Sequence, residues 1–435
     1  MKLTPYTEPK EAGKEMHSLA ARLFPITRSL TGAGVRETLD ILGEHIPLKR
    51  FEVPTGTQAF DWKVPKEWNI KDAFITDESG KKIVDMKTNN LHVVGYSIPV
   101  DEEISLEELQ KHLYSLSEQP DAIPYVTSYY VERWGFCMTQ RQRDGLKPGK
   151  YRVRIDSALT EGNLTYAEYV IPGKSKKEIF ISTYFCHPSM ANNELSGPVV
   201  ATYLAKWLAS MPRKYTYRFV FIPETIGSLV YLSKHITVFK ENVIAGFNLT
   251  CMGDERTFSY LPSRYGNTLA DKVALRVLKE RYPKFVTYSF LDRGSDERQY
   301  CSPGADLPVV TIMRSKYGVY PEYHTSLDDL SLVTPKGLEG SYEMLKAAIL
   351  MLEERVVYQS TYVGEPQLGK RGLYPTVSQK GNIDNSVKYM LDFLAYADGT
   401  NDMATISETL GVPVAELEPI AEKLIGAGLL KTSSD

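Results

Sequence analysis

From residue 178 onward, short apolar runs alternate with longer segments whose apolar positions recur at helical spacing. Strands that alternate with helices in this way predict a mostly parallel sheet with helices on both faces. Buried strands are predicted at 178–185, 216–222, 243–251 and 307–313. Helices are predicted at 196–211, at 267–282 and from Pro335 onward, where proline takes the first helical position. The start of the chain fits the same α/β domain, with helices predicted at 9–24 and 33–45 and a strand at 48–56.

Between residues 59 and 164 the pattern changes to short aromatic and β-branched runs, separated by turn sequences such as DESG and KTNN. One helix is predicted there, at 105–116, where Ser105 and Glu108 have the spacing of a capping box. We therefore predict a β-rich domain at 59–164, inserted into an α/β domain that comprises 1–58 and 165–357. A tandem arrangement is disfavoured because the α/β sheet would then lack its opening strands.

The end of the chain, residues 365–435, contains three predicted helices followed by a glycine-bounded strand, which is the order of elements in a winged helix. From residue 374 to the end there are four lysines, no arginine and nine acidic residues, a net charge of −5. A domain that binds a DNA groove needs positive charge to neutralise phosphates. We therefore expect this domain to pack against the core or to contact proteins, and we expect no nucleic-acid partner.

The composition is that of an ordinary globular protein, since the 435 residues are 43% hydrophobic and 24% charged with a net charge of −3. No apolar run approaches the roughly 18–20 residues of a membrane helix, and the start lacks the apolar stretch of a signal peptide. No membrane partner is therefore expected. The four cysteines are far apart and form no CxxC pair, which indicates reduced thiols and a cytoplasmic protein.

Reactive side chains follow several of the predicted strands, at the sheet edge where open α/β folds bind ligands. The segments are CHPSMANNELSG at 186–197, PETIGS at 223–228, TCMGDE at 250–255, RGSDERQY at 293–300 and YHTSLDD at 323–329. They bring two histidines and several carboxylates to one edge. A metal-assisted hydrolase requires such a set, because histidines and carboxylates bind zinc while a free carboxylate takes a proton from the bound water.

The order of these segments resembles that of the zinc aminopeptidases of the bacterial leucyl aminopeptidase and glutamate carboxypeptidase type, over residues 10–60 and 165–355. The whole chain is more similar to a prokaryotic aminopeptidase-like family with a β-rich insert and a C-terminal winged helix, often associated with polysaccharide biosynthesis. The segments RSLTGAGVRETL, FDWKVPKEWNI, CHPSMANNELSGP and PETIGS carry this second resemblance. Both resemblances imply a zinc-aminopeptidase-like α/β core.

The resemblance also implies roles for single residues. His187 matches the first metal-binding histidine, and His324 in the Tyr-His-Thr sequence matches the last. Glu224 matches the first glutamate of a Glu-Glu pair, which is the general base in the peptidases. These matches imply that the three residues form the centre of any catalytic site.

Other positions depart from the peptidase pattern. Asn193, Thr225 and Thr250 stand where three acidic metal ligands are expected, and Ser189 replaces the aspartate that supports His187. Two adjacent divalent ions repel each other and need several anionic ligands, whereas amides and hydroxyls supply no charge. A complete two-zinc centre is therefore not expected.

A reduced metal site remains possible on these residues. One zinc ion would be bound by His187 and His324, with Glu194, Glu224 or Asp254 as the carboxylate and Asn193 beside them. Each of these acids lies within a few residues of a lost ligand, so a shifted site is conceivable. A site without any metal is the other outcome that the sequence leaves open.

We therefore predict a zinc-dependent hydrolase of a peptide or amide bond, with Glu224 as general base and an insert that shapes or covers the pocket. The alternative is a non-catalytic binding or scaffold protein that kept the aminopeptidase fold and lost the metal. A DNA-binding regulator is a third hypothesis, which the acidic C-terminal domain disfavours. The expected partner is a small peptide or amide substrate, and the many tyrosines are compatible with a homodimer.

Overall fold

The structure, a computed structural model, describes residues 11–374 and 385–433, and the chain divides into two compact units between Ile349 and Leu350. The strands of the first unit are β1 (Lys49–Pro54), β2 (Gln58–Ala59), β3 (Trp62–Lys63), β4 (Glu67–Thr76), β5 (Lys82–Asp85), β6 (Val100–Ser105), β7 (Leu113–Tyr114), β8 (Phe136–Cys137), β9 (Lys150–Thr160), β10 (Asn163–Ile171), β11 (Glu178–Tyr184), β12 (Thr216–Ile222), β13 (Val243–Leu249), β14 (Ser259–Leu261), β15 (Val286–Thr287) and β16 (Val309–Met313).

The helices that accompany these strands are α1 (Ala12–Leu23), α2 (Ala33–Gly43), α3 (Leu106–Gln110), α4 (Gln140–Asp144), α5 (Ser196–Ala209), α6 (Ile226–Asn242), α7 (Leu269–Arg281), α8 (Glu297–Tyr300) and α9 (Pro335–Glu353). A π-helical turn, Ala191–Leu195, precedes α5, and short 3₁₀ turns lie at Asn90–His92 and Phe290–Asp292.

Eight strands form one mixed sheet in the order β1-β10-β12-β11-β13-β16-β14-β15. Its central pairs, β12–β11, β11–β13 and β13–β16, are parallel, whereas β1–β10, β10–β12 and β14–β16 are antiparallel. Every residue of β11 is buried, as its continuous apolar run predicts for a strand that is covered on both faces. The predicted α/β fold with a mostly parallel sheet is confirmed, with antiparallel strands added at the flanks.

The strand order places a site at one edge of this sheet. β11 lies between β12 and β13, so the chain passes through α5 to one side of β11 and later through α6 to the other. The three strands run in the same direction, and the loops that follow them emerge together. This reversal of strand order is where open α/β sheets bind ligands.

The segment between β1 and β10 forms a second sheet in the order β5-β4-β9-β6 and the short pairs β2–β3 and β7–β8. The helix predicted at 105–116 ends at Gln110, because Leu113 pairs with Phe136 and draws the chain into β7. Ser105 does cap this shorter helix, since its hydroxyl accepts the N–H of Glu108. Buried residues of this segment, among them Trp68, share one hydrophobic cluster with residues of the α/β sheet.

After α9, the described residues of the second unit form a three-stranded sheet and three helices. Its elements are β17 (Val357–Ser360), α10 (Asn385–Tyr396), β18 (Asp398–Asp402), α11 (Met403–Leu410), α12 (Val414–Gly426) and β19 (Leu430–Ser433), with a 3₁₀ turn at Gly369–Arg371. The strand order is β18-β17-β19. Phe393, Ile406, Leu417 and Leu424 are buried in its core, one or more from each helix.

The sequence predicts that the chain has no membrane helix and that its cysteines are reduced thiols. Among the described residues, no helix combines the length and the apolar character needed to cross a membrane. All four cysteines, Cys137, Cys186, Cys251 and Cys301, are buried free thiols.

Candidate active site

The loop that leaves β11 carries His187 and then closes through a π-helical turn into α5. Ser189 in this loop has a φ of +40°, and the turn comprises Ala191–Leu195. Two further residues at the same sheet edge, Thr225 and His324, have φ values of +62° and +56°. Non-glycine residues in this left-handed region are strained, and such strain clusters at functional sites. The π-helical turn is another feature that is frequent at such sites.

His187 is held in one orientation by Glu194, a fully buried carboxylate from the π-helical turn. Oε2 of Glu194 accepts the backbone N–H of His187 at 2.8 Å, and the other carboxylate oxygen contacts Nδ1 of the imidazole. Arg28 donates from Nε to the carbonyl oxygen of His187 at 3.3 Å. With Nδ1 engaged on the inner side, Nε2 is the ring nitrogen that remains for a ligand.

Glu224 lies opposite His187, directly after β12. Its Oε2 is 3.9 Å from Nε2 of His187. Burial raises the pKa of Glu224 to about 8, although His187 acts in the opposite direction. Burial lowers the pKa of His187, but Glu194 and Glu224 outweigh that effect and the net pKa is raised. A carboxyl group with a pKa near neutrality is suited to accept and release a proton.

The turn that carries Glu224 is fixed by a second buried carboxylate. The N–H of Thr225 donates to Oδ1 of Asp296 at 2.8 Å, and Ser228 donates to the same oxygen at 2.9 Å. Burial raises the pKa of Asp296 to about 7. This clamp holds the strained residue Thr225 and thereby the direction of the Glu224 side chain.

His324 completes the group from the loop before α9. Burial and the neighbouring His187 lower the pKa of His324 to about 3, so its imidazole is neutral near pH 7. Tyr323 stacks on it with ring centroids 3.8 Å apart. Tyr125 from the inserted segment packs against both histidines, with its ring centroid 4.6 Å from that of His187 and 5.2 Å from that of His324.

These residues surround a cavity of about 390 Å³, within the usual size range for small-molecule sites. One wall comes from the inserted segment and is aromatic, with Trp62, Tyr125, Tyr129 and Tyr130. The opposite wall comes from the α/β domain and consists of Leu30, Cys186, His187, Glu224, Thr225, Ile226, Arg298 and His324. Among the described lining residues, Glu224 is the only carboxylate and Arg298 the only arginine or lysine.

Asn193 belongs to an uncharged network behind this cavity. Its Nδ2 donates to the hydroxyl oxygen of Tyr184 at 3.1 Å, and that hydroxyl lies 2.7 Å from Oγ1 of Thr250. Thr250 in turn donates to the carbonyl oxygen of Asn193 at 3.0 Å. The resemblance places two acidic metal ligands at positions 193 and 250. Here the two residues bind each other and Tyr184, and they offer a metal no charge.

Asp254 is not brought together with the histidines. Its carboxylate oxygens accept hydrogen bonds from the Ser315 hydroxyl, from Nδ2 of Asn192 and from the N–H of Arg256. It does not line the cavity. As a metal ligand, Asp254 therefore has no support from its position.

Two sets of metal donors can be distinguished around His187. On the inner side, donor atoms of Cys186, His187 and Glu194 lie within 4.8 Å of one another. Glu194 is already bound to Nδ1 of His187, which is the arrangement of a carboxylate that orients a metal-binding histidine rather than of a ligand. On the cavity side, the imidazoles of His187 and His324 are the potential donors, with ring centroids 5.3 Å apart, and Oε2 of Glu224 lies 3.9 Å from Nε2 of His187. The two imidazoles offer a single zinc ion two nitrogen donors at the cavity.

Sequence reasoning missed three residues of the site. Arg28 lies in the connection between α1 and α2, yet its side chain is buried and supports the loop of His187. Arg298 lies in the segment RGSDERQY, two residues after Asp296, and no motif in the sequence marks it as a site residue. Tyr125 carries no signal in the sequence, because it reaches the histidines through pairing of Pro124 with Thr325, two hundred residues away along the chain.

Comparisons with known proteins agree with this fold. The profile of a family described as a domain of unknown function (DUF4910) matches residues 17–355, and that of a winged helix-turn-helix family matches residues 356–432. A protein of Clostridium acetobutylicum described as a putative polysaccharide biosynthesis protein with aminopeptidase-like domain is 43% identical over 422 residues, 97% of each chain.

Solved structures give the same result. The crystal structure of a putative peptidase from Clostridium acetobutylicum matches with a TM-score of 0.83 and 42% identity, over 97% of both chains. A zinc aminopeptidase from Bacillus subtilis matches with a TM-score of 0.56 at 12% identity, over 79% of this chain and 95% of that one. An aminopeptidase from an Aneurinibacillus strain gives a TM-score of 0.51 at 11% identity, over 78% and 93%. The first unit therefore has the fold of zinc aminopeptidases, and the second unit is a winged helix.

Proposed function

We propose that this chain, which belongs to the family described as a domain of unknown function (DUF4910), is a hydrolase. It would cleave an amide bond of a small molecule with the help of one metal ion. The observation that carries the proposal is the position of Glu224. It is the only carboxylate among the described lining residues, it faces Nε2 of His187 at 3.9 Å, and it shares a cavity of about 390 Å³ with His324.

The chain's own residues divide the work. Glu224 accepts a proton at Oε2 from the attacking water and passes it to the leaving nitrogen. Glu194 keeps Nε2 of His187 directed at the cavity. The aromatic wall formed by Trp62, Tyr125, Tyr129 and Tyr130 packs against the body of the substrate and excludes bulk water.

The donors that would hold a zinc ion are His187 and His324, with Glu224 3.9 Å from His187 in the same cavity. Zinc bound there would polarise the amide carbonyl and make its water more acidic. A second ion has no support, because Asn193, Thr225 and Thr250 bring amide and hydroxyl groups where acidic ligands would be needed. The proposal is therefore a single-metal site.

We also propose a process and a compartment for this chain. The relative from Clostridium acetobutylicum is described as a putative polysaccharide biosynthesis protein, and we assign this chain to the same process. We place it in the cytoplasm, because its four buried cysteines remain free thiols.

One observation favours a second candidate, a binding protein without catalysis. The uncharged network of Asn193, Tyr184 and Thr250 fills the positions of two acidic ligands with amide and hydroxyl groups that bind one another. A chain that had lost catalysis but kept the cavity would have this arrangement. Its ligand would occupy the same aromatic-walled cavity.

The two candidates are separated by metal content and turnover in the full-length protein. For the hydrolase we expect about one equivalent of zinc per chain, which is lost in His187→Ala and in His324→Ala. We expect Glu224→Gln to keep its zinc and to lose turnover by at least a hundredfold on a panel of N-acyl and peptide amides.

His235→Ala is the matched control, because His235 packs on Tyr231 away from the cavity and should keep both metal and turnover. Wild-type protein that takes up no zinc, cobalt or manganese and cleaves nothing in the panel would refute the hydrolase. The binding protein would then be supported if a small ligand still protects Tyr125 and Trp62 from chemical modification.

A further inference from the structure

Arg298 extends from α8 into the cavity wall, and Thr225 fixes its head group. Its Nη2 donates to Oγ1 of Thr225 at 2.6 Å. Thr225 is itself clamped through its N–H by Asp296, the residue that precedes α8. The guanidinium is thus held beside Thr225, the residue that follows Glu224 in the sequence. The Arg298 side chain is nevertheless exposed at the cavity.

The guanidinium of Arg298 forms no ion pair in the part of the chain that the structure describes, although it lowers the pKa of Asp296 through space. Its side-chain hydrogen bond is to the Thr225 hydroxyl, and no carboxylate of the described residues forms an ion pair with it. Glu224, the only acid among the described lining residues, lies 3.9 Å from His187, and Arg298 lowers its pKa without forming an ion pair with it. A fixed arginine with free N–H donors, in a cavity with an aromatic wall, is a ready binding site for an anionic group.

We propose, resting on the hydrolase function above, that the substrate carries a carboxylate close to its scissile amide bond and that Arg298 binds this carboxylate. The substrate class is then an N-acylated amino acid or a similar acylamino acid. Arg298 acts as a specificity-determining residue, with Thr225 as its positioning residue.

The positive charge of Arg298 argues against a substrate with a free amine, which is the class that an aminopeptidase cleaves. An aminopeptidase binds the free ammonium group of its substrate and needs an acid in the pocket for that purpose. The described cavity lining contains a single acid, Glu224, which the proposed mechanism already uses. It contains one spare cation, Arg298. The cavity is therefore complementary to a free carboxylate and not to a free amine.

Position 225 adds an independent argument. The resemblance to zinc aminopeptidases places a metal-binding glutamate there, and this chain has a threonine. Its hydroxyl accepts a hydrogen bond from Arg298, whereas its strained backbone, with a φ of +62°, is kept in place by Asp296. Threonine in place of glutamate at position 225 thus removes a ligand of a second metal ion. It also provides a hydrogen-bond acceptor that holds the side chain of Arg298 at the same edge of the cavity.

The test uses probes that cannot be cleaved, so that its result does not depend on catalysis. 4-Oxopentanoate is an isostere of N-acetylglycine in which CH₂ replaces the amide nitrogen, and 4-oxopentanamide is its uncharged counterpart. Dissociation constants for both, for glycinamide and for inorganic phosphate are measured by calorimetry on the full-length protein. We expect wild type to bind the acid at least tenfold more tightly than its amide and more tightly than glycinamide or phosphate.

Arg298→Gln should reduce the acid-to-amide preference to about one and leave the affinity for the amide unchanged. Arg293→Gln is the matched control, because Arg293 is exposed on the preceding turn and does not line the cavity. Equal binding of acid and amide by wild type would overturn the inference. So would a preference that survives in Arg298→Gln, tighter binding of glycinamide, phosphate binding as tight as that of the acid, or no binding of the acid at all. Failure of the hydrolase alone would appear as preserved acid preference without turnover of N-acetyl amino acids.

Discussion

Glu194 binds His187 at two points, through the backbone N–H at 2.8 Å and through Nδ1 of the ring. The two residues flank the loop between β11 and α5, so one buried carboxylate fixes both the loop and the imidazole. The resemblance to zinc aminopeptidases assigns support of this histidine to position 189, where this chain has a serine. Glu194 therefore takes over, from the other end of the same loop, the task of orienting His187.

Replacing Glu194 by alanine should destabilise the protein and release His187. A buried, paired charge that loses its partner costs about 3 kcal/mol or more in free energy of unfolding. The pKa of His187 should fall, because Glu194 is the main group that raises it against burial. Thermal melting measures the first effect, and NMR titration of the imidazole protons, assigned with His187→Gln, measures the second.

The control for this prediction is Glu280→Ala, which removes an exposed carboxylate near the end of α7. It should change the free energy of unfolding by less than about 0.5 kcal/mol, as exposed substitutions usually do. An unchanged His187 titration in Glu194→Ala would show that the ring is oriented by other groups.

Glu224→Gln should stabilise the metal-free protein at alkaline pH. The pKa of Glu224 is raised from 4.5 to about 8 by burial, so the folded state holds its proton between these values while the unfolded state releases it. Wild type therefore loses stability as the pH rises from about 4.5 to 8, whereas glutamine has no proton to lose. At pH 8 the variant should be more stable by on the order of 4 kcal/mol.

This difference is measured by urea unfolding of chelator-treated protein at pH 5 and pH 8. The free energies of unfolding of wild type and Glu224→Gln should be closest at pH 5. A Glu224→Gln protein that is no more stable than wild type at pH 8 would mean that the carboxyl is ionised in the folded state and is not buried as described.

Restoring an aspartate at position 193 should not create a second metal site. Asn193→Asp removes the Nδ2 donor to Tyr184 and adds a buried charge, while Thr250 still offers only a hydroxyl. The loss should cost about 1–3 kcal/mol in free energy of unfolding. Mass spectrometric metal analysis should find no more than one equivalent of zinc. A second equivalent with regained stability would contradict the uncharged network as the reason for a single-metal site.

Most of the fold could be predicted from the pattern of apolar residues. The run at 178–185 has no polar alternation because β11 is covered on both faces, so its central position was evident. The helix at 105–116 could not be bounded from sequence. His112 stacks on Trp134 with ring centroids 3.6 Å apart, and Leu113 pairs with Phe136. These contacts join residues more than twenty positions apart and outweigh local helical preference.

The candidate site could be predicted only as far as its segments follow parallel strands. His187, Glu224 and His324 come from different loops, and the sheet brings them around one cavity; their roles stay predictions. The partner of Glu194 and the direction of the Asp254 side chain depend on how each loop folds after its strand. The spacing of residues in the sequence does not determine that conformation. In the sequence, Thr225 indicates only that a metal-binding glutamate is missing. The structure reveals that its hydroxyl accepts a hydrogen bond from Arg298.

Gly197→Ala should destabilise the first unit, because α5 begins in contact with the sheet. A methyl group at Gly197 would come within 2.3 Å of the carbonyl oxygen of Leu249 and 2.5 Å of Oγ1 of Thr183. Such overpacking costs about 1–3 kcal/mol. Gly304→Ala is the matched control, since nothing lies within 4 Å of its added carbon and it should melt close to wild type. Equal melting temperatures for the two variants would mean that α5 can move away from the sheet at no cost.

The winged helix of the second unit should not bind DNA. Its third helix, α12, carries Glu416, Glu418 and Glu422 against Lys423, so the helix that would enter a groove is acidic. Phosphate contacts supply most non-specific affinity and require positive charge, which this helix lacks. We expect the full-length protein to leave a fluorescent 30-base-pair duplex unbound at 50 mM salt, where basic winged helices bind. Binding that weakens linearly with the logarithm of salt concentration would contradict this expectation, because it would demonstrate phosphate neutralisation.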